Sequence, residues 1–281
     1  MSQATLRSKA ETLRRLHEKP NILVLPNVWD LASARLVELA GFPALATTSS
    51  GIAFSLGYPD GEKISRGTML DLCGRIARRA RVPVSADIEA GYGPEPKDTA
   101  QTVRFAIAAG IVGGNIEDGT HDPKAPLCPI DLAVARIRAA RKAGEEEGVP
   151  FVINARTDYY LRGGELNEAG FAETVRRGRA YREAGADCVF VPGLTDRETI
   201  GRLVGAIGGA INILTRPTSP SVPELRALGV ARVSVGGMMM NATLGLVRRA
   251  AAELAGPGTY GFAEGMVTHA EMNKLMSQAE S

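Results

Sequence analysis

Asp87 and Glu89 stand one residue apart at the end of the run Val82-Pro83-Val84-Ser85-Ala86-Asp87-Ile88-Glu89. The run alternates, with Val82, Val84, Ala86 and Ile88 on one side and Pro83, Ser85, Asp87 and Glu89 on the other. That is the two-residue period of a β-strand. It predicts that the two carboxylates share a face at the C-terminal end of a strand, before Gly91 and Gly93 let the chain turn. Paired carboxylates there suit a hard divalent cation, which takes oxygen ligands and keeps waters that a substrate can replace.

Other apolar runs end in polar groups of the same kind. Ile111 to Glu117 puts Asn115 and Glu117 on one face, with Asp118 next; Asn154, Arg156 and Asp158 alternate after Phe151. Earlier runs end in Asn27 and Trp29, and in Ser49, Ser50 and Gly51; later ones carry Asn212, Arg216, Ser234, Gly236 and Gly237. Unpaired buried charge is costly. Three acids and an arginine at successive strand ends therefore point to a shared site holding a metal and an anionic substrate rather than to packing.

The elements that must position these groups repeat regularly. A polar amphipathic helix over 3–18 precedes strands at 22–26, 44–48, 82–89, 111–117, 151–156, 187–191, 210–214 and 231–235. Helices are expected over 31–40, 66–80, 98–109, 130–146, 168–184, 196–206, 221–228 and 240–254, with a glycine-containing loop over 49–61. Strands alternating with helices call for a parallel sheet, and eight such units predict an α/β fold of the (β/α)8 TIM-barrel type, as one domain over 1–281. The N-terminal helix precedes it, and 240–281 form the last barrel helix and a C-terminal helical extension. In such a barrel, function is built at the C-terminal ends of the strands.

Composition narrows the class. The 281 residues are 44% hydrophobic and 23% charged with a net charge of +2, ordinary for a soluble globular protein. No basic run argues for nucleic acid, and no 18-residue apolar run or signal-like apolar core argues for a membrane. The three cysteines, Cys73, Cys128 and Cys188, and three histidines, His17, His121 and His269, show no zinc spacing. A reducing cytoplasm fits best. None of the seven lysines lies at a strand end, which disfavours a Schiff-base aldolase.

Four segments, taken in order, resemble the phosphoenolpyruvate mutase/isocitrate lyase superfamily over nearly the whole chain. They are Ser50-Gly51 with Leu56-Gly57-Tyr58-Pro59-Asp60, Asp87-Ile88-Glu89-Ala90-Gly91-Tyr92-Gly93, Asn115-Ile116-Glu117-Asp118, and Asn154-Ala155-Arg156-Thr157-Asp158. The resemblance implies a barrel that binds Mg2+ (or Mn2+) and a small carboxylate substrate, a 2-oxo acid or its enolate. It assigns Asp87, Glu89 and Glu117 to the metal, Ser50 and Gly51 to the substrate carboxylate, and Asp60 to a place beside the metal. Trp29 falls near the entrance, while Arg156 and Asn212 match contacts to substrate oxygens. A homo-oligomer is implied as well, a dimer of dimers that exchanges the eighth helix.

Two departures stand out. The family's usual aspartate is replaced by Glu89. The loop after strand four reads Gly119-Thr120-His121-Asp122-Pro123-Lys124-Ala125-Pro126-Leu127-Cys128-Pro129, without the Lys-Arg-Cys-Gly-His-type motif of the carbon–carbon lyases or the asparagine of the phosphonate mutases. With its glycine and prolines and no apolar stripe, the loop is expected to be a lid. His121 is its leading acid/base candidate, ahead of Cys128, because imidazole titrates near neutrality. Three readings stay open: a metal-dependent lyase cleaving or decarboxylating a small 2-oxo or 2-hydroxy dicarboxylate, which is favoured; a phosphorus–carbon enzyme; and a non-catalytic oxo-acid binding protein.

Overall fold

Short apolar runs rich in Val, Ile and Ala, buried on both faces, become the strands, as a parallel sheet covered by helices requires. The computed structural model of the chain describes residues 1–18, 20–120 and 122–277. Helix α1 (Gln3–Arg15) leads into β1 (Leu23–Leu25), β2 (Asn27–Val28), α2 (Leu31–Leu39), β3 (Leu45–Thr47), α3 (Ser49–Ser55) and α4 (Arg66–Arg79). Then follow β4 (Val84–Asp87), α5 (Pro96–Ala109), β5 (Gly113–Glu117), α6 (Ile130–Glu146), β6 (Val152–Arg156) and α7 (Glu168–Glu183). The series closes with β7 (Cys188–Val191), α8 (Arg197–Ile207), β8 (Ala210–Leu214), α9 (Val222–Ala227), β9 (Arg232–Ser234), α10 (Met238–Ala255), a 3-10 turn (Gly261–Ala263) and α11 (His269–Ser277).

All neighbouring strands are parallel, in the order β1-β9-β8-β7-β6-β5-β4-β3-β2. β1 and β2 are the two halves of the first expected strand, broken at Pro26, which has no N–H to give to a ladder. β1 pairs with β9 and β2 with β3, so the ring closes across that proline. The Pro26 carbonyl still accepts from the Ala46 N–H at 3.2 Å. The result is the expected α/β barrel.

Two expectations need correction, and one loop is held more firmly at its base than its composition indicates. Residues 49–55 are a helix, α3, rather than loop, because the Thr48 side chain caps its first turn by accepting from the Gly51 N–H. β4 ends at Asp87, not Glu89. The loop 118–129 is also tied at its base: Gly119 and Leu127 form an antiparallel bridge, the Cys128 N–H donates to the Asp118 carbonyl at 2.8 Å, and Cys128 is buried. Its His121 lies outside the described residues. Among the described residues no helix is long and apolar enough to cross a membrane.

Helix α1 covers the N-terminal mouth of the barrel. A Cβ on Gly113, at the start of β5, would lie 2.8 Å from Leu13 Cδ2, and Arg14 Nε pairs with Asp187 at 2.9 Å, just before β7. Next to it His17 is buried, its Nδ1 2.8 Å from the Leu13 carbonyl, its Nε2 without a hydrogen-bond partner among the described residues. Burial first, and Arg232 second, hold its pKa down at about 4, against 6.5. The folded state therefore prefers neutral imidazole, a contribution complete above pH 6.5 and lost as pH falls towards 4. By linkage it amounts to about 3 kcal/mol. Urea unfolding across this range should show that loss in the native protein and a flatter profile in His17→Phe. Identical pH profiles would show that His17 does not govern acid stability.

Candidate active site

The strand register brings the site together. Asp87 on β4 lies opposite Asn115 on β5, and Glu117 on β5 lies opposite Arg156 on β6. The Asp87 N–H donates to Thr47 Oγ1 at 3.0 Å, and its Oδ2 accepts from Ser49 Oγ at 3.1 Å. Arg156 Nη1 pairs with Glu117 at 2.8 Å, while its Nε and Nη2 donate to the two oxygens of Asp158 at 2.5 and 3.0 Å. The guanidinium also lies 5.6 Å from the Phe190 ring centroid. A cavity of about 310 Å³ is lined by Ser49, Asp60, Glu89, Glu117, Arg156 and Arg162 among others.

Glu89 reaches this cavity by a different route from the one strand alternation predicts. Its φ is +50°, and the only other non-glycine residues with positive φ among those described are Glu62 and Tyr92. The three hold one another: the Glu62 N–H donates to Glu89 Oε2 at 2.5 Å, Tyr92 Oη to Glu89 Oε1 at 3.1 Å, and the Tyr92 N–H to Glu62 Oε1 at 2.8 Å. Left-handed backbone at non-glycine residues costs on the order of 1–3 kcal/mol each and clusters at functional sites. Here it aims a carboxylate.

Beneath Asp158 lies a second buried layer. Asp118 accepts from the Asp158 N–H at 2.8 Å, from Arg177 Nη1 at 3.0 Å and from Tyr181 Oη at 2.5 Å. Asp118 thus fixes the backbone that carries Asp158, and Asp158 fixes Arg156.

Electrostatics at the cavity run one way. Burial, then Asp87 and Asp60, push the Glu89 carboxyl up to about 8. Burial raises Glu117 as well, against the opposing pull of Arg156. Asp60 is raised by burial of its carboxyl group and by Asp87, although the residue as a whole is exposed. Burial works against the charge of Arg156, but Glu117 and Asp158 outweigh it and raise its pKa.

A cation fits this donor set. Hard carboxylate oxygens crowd together and repel one another, a repulsion that a divalent ion would relieve. Among the described residues no three His, Cys, Asp or Glu side chains are placed to ligate one ion directly. A cation held by these groups would need water to complete its shell, and Mg2+ commonly keeps several waters.

Asp60, Asp87, Glu89, Glu117 and Arg156 are therefore gathered as the sequence indicated. Trp29, Ser50 and Gly51 lie together next to Ser49 but are not among the residues lining the cavity: Ser50 Oγ is 3.0 Å from Thr48 Oγ1, and a Cβ on Gly51 would lie 2.6 Å from Thr48 Cγ2 and 3.1 Å from Trp29 Cβ. Asn212 does not reach the cavity; it is fully buried, and its Oδ1 accepts from Ser234 Oγ at 3.3 Å. Burial, and then Asp118, raise the pKa of the Cys128 thiol. Sequence reasoning missed Glu62 and Arg162, and it named Ser49 at a strand end and Tyr92 in a family segment without giving either a role. For Arg162 a signal existed, its position four residues after Asp158; for the left-handed trio none did.

Fold and site together define a parallel α/β-barrel enzyme. The family model for phosphoenolpyruvate phosphomutase matches residues 13–255, and the chain belongs to the phosphoenolpyruvate mutase/isocitrate lyase superfamily. It is similar to a crystal structure from Burkholderia cenocepacia J2315 assigned provisionally to the lyases or mutases, with 41% identity, 98% of this chain and 97% of that one covered, and a TM-score of 0.91. The 2,3-dimethylmalate lyase of Eubacterium barkeri is 29% identical over 95% of this chain and 93% of its own. A phosphonopyruvate hydrolase solved with oxalate and Mg2+ is 25% identical, with 97% and 96% coverage and a TM-score of 0.84.

Proposed function

We propose that this enzyme breaks a carbon–carbon bond in a small 2-oxo or 2-hydroxy dicarboxylate, with Mg2+ (or Mn2+) as cofactor. The observation that carries the reading is the meeting of surplus carboxylates with a clamped guanidinium at one cavity. Asp87, Glu89 and Glu117 would hold the ion, with Asp60 beside it. The ion supplies Lewis-acid polarisation of the substrate's keto and carboxylate oxygens. Arg156, preset by Asp158, offers a planar fork to those oxygens as negative charge develops on them. Ser50 and Gly51, at the start of α3, receive a substrate carboxylate beside Trp29.

Cys128, buried at the base of the loop, is given no role. His121 is the proposed proton carrier of the loop. The lyase name of one relative and the Mg2+–oxalate complex of another support this reading over a non-catalytic binding protein. Three free, buried cysteines suit a cytoplasmic enzyme.

Oxalate is the probe to use. Calorimetry should show oxalate binding that requires Mg2+, and Asp87→Ala should weaken Mg2+ binding by about 100-fold or more, the loss of one strong charge-assisted contact. Unchanged Mg2+ affinity would remove Asp87 from the metal site. Turnover of phosphonopyruvate without turnover of any malate-type acid would transfer the activity to phosphorus–carbon chemistry.

The same reading includes assembly. Only Met240 is buried along α10, while Leu244, Leu246, Val247 and Leu254 are exposed, an apolar face that a second copy would cover in a dimer of dimers. Light scattering should give a multiple of the 29.7 kDa chain; the mass of one chain would refute it.

A further inference from the structure

Arg162 lines the cavity, and the reaction as read so far gives it no task. It follows β6 by six residues, and its Nε donates to Asp158 Oδ2 at 3.3 Å, on the carboxylate that also grips Arg156. The two arginines are not equivalent. Arg156 spends three N–H groups on Glu117 and Asp158 and is 14% exposed, whereas Arg162 is 31% exposed. Its two terminal amino groups have no hydrogen-bond partner among the described residues.

The local backbone is shaped to admit it. A Cβ on Gly119 would lie 2.5 Å from Asp158 Oδ2 and 3.1 Å from Arg162 Nη2, so the loop after β5 can lie on the pair only because that residue is glycine. The other ionisable groups lining the cavity besides Arg156 are the acids Asp60, Glu89 and Glu117, which repel an anion. Among the charged side chains lining the cavity, the Arg162 guanidinium is the cationic group with N–H donors left for a second carboxylate of a ligand held near Arg156.

We propose that Arg162 binds the remote carboxylate of a 2-oxo dicarboxylate and so separates dicarboxylic from monocarboxylic ligands. The proposal rests on the reading that this cavity takes a 2-oxo acid. Guanidinium–carboxylate contacts are charge-assisted and directional, and losing one lowers affinity by about 10- to 100-fold.

The test is calorimetry on the full chain with Mg2+, using 2-oxoglutarate and 2-oxopentanoate, which differ only in a terminal carboxylate against a methyl group. The native protein should prefer 2-oxoglutarate by about 10- to 100-fold. Arg162→Gln should abolish that preference while leaving 2-oxopentanoate affinity unchanged, and Arg162→Lys, which keeps the charge without the fork, should retain part of it. Equal weakening of both ligands in Arg162→Gln would mean that Arg162 acts through Asp158 and Arg156, and would overturn the proposal. Tight binding of both ligands by the native protein without discrimination would overturn it alone; binding of neither would overturn the oxo-acid reading with it.

Discussion

Carboxylates outnumber cations where β4, β5 and β6 end. Asp60, Asp87, Glu89, Glu117 and Asp158 gather around Arg156 and Arg162, and most of them are withdrawn from water. Coulomb repulsion between such groups is strong because little solvent lies between them. Arg156 bridges Glu117 and Asp158, and Arg162 adds one longer contact, yet Asp60, Asp87 and Glu89 have no ion-pair partner among the described residues. Their charge can be relieved in two ways: by protons, since burial and then the neighbouring Asp87 and Asp60 push the Glu89 carboxyl up to about 8, or by a bound cation. The charge state of the site is thus coupled to what occupies it.

The barrel holds this unfavourable arrangement by fixing each carboxylate from behind. Thr47 and Ser49 fix Asp87, the left-handed trio of Glu62, Glu89 and Tyr92 fixes Glu89, and Asp118 with Arg177 and Tyr181 anchors the segment bearing Asp158. Groups so supported cannot swing apart to lower their repulsion. Catalytic geometry needs this kind of preorganisation, with donors and acceptors set before charge develops. The local destabilisation is offset by the continuous hydrophobic core around the ring of strands.

Much of this was legible in the sequence, because hydrophobic period and strand-end position are local properties. Asp87, Glu117 and Arg156 follow from alternation alone, and the alternation of strands with helices led to the barrel. Glu89 reaches the cavity by a route that alternation does not describe: the strand stops at Asp87, and a left-handed turn, not the pleat, carries the side chain inwards. Non-glycine positive φ is set by tertiary hydrogen bonds and leaves no trace in residue type. Asn212 is fully buried and not among the residues lining the cavity, since sharing a strand with a site does not fix depth along it. Residues 49–55 read as loop because glycine and serines mask a helix whose stability comes from Thr48 and from burial. The tether of the loop 118–129 depends on Asp118 and Arg177, which lie 59 residues apart.

Proton release on metal binding tests the central claim most directly. If a cation replaces protons on crowded carboxylates, calorimetry in buffers of different ionisation enthalpy should report about one proton released per Mg2+ at pH 7, chiefly from Glu89. The release should fade towards zero as pH rises well past 8. Mg2+ binding with no proton release at pH 7 would contradict the account, because it would mean that the carboxylates are already fully ionised and that their crowding is relieved in some other way.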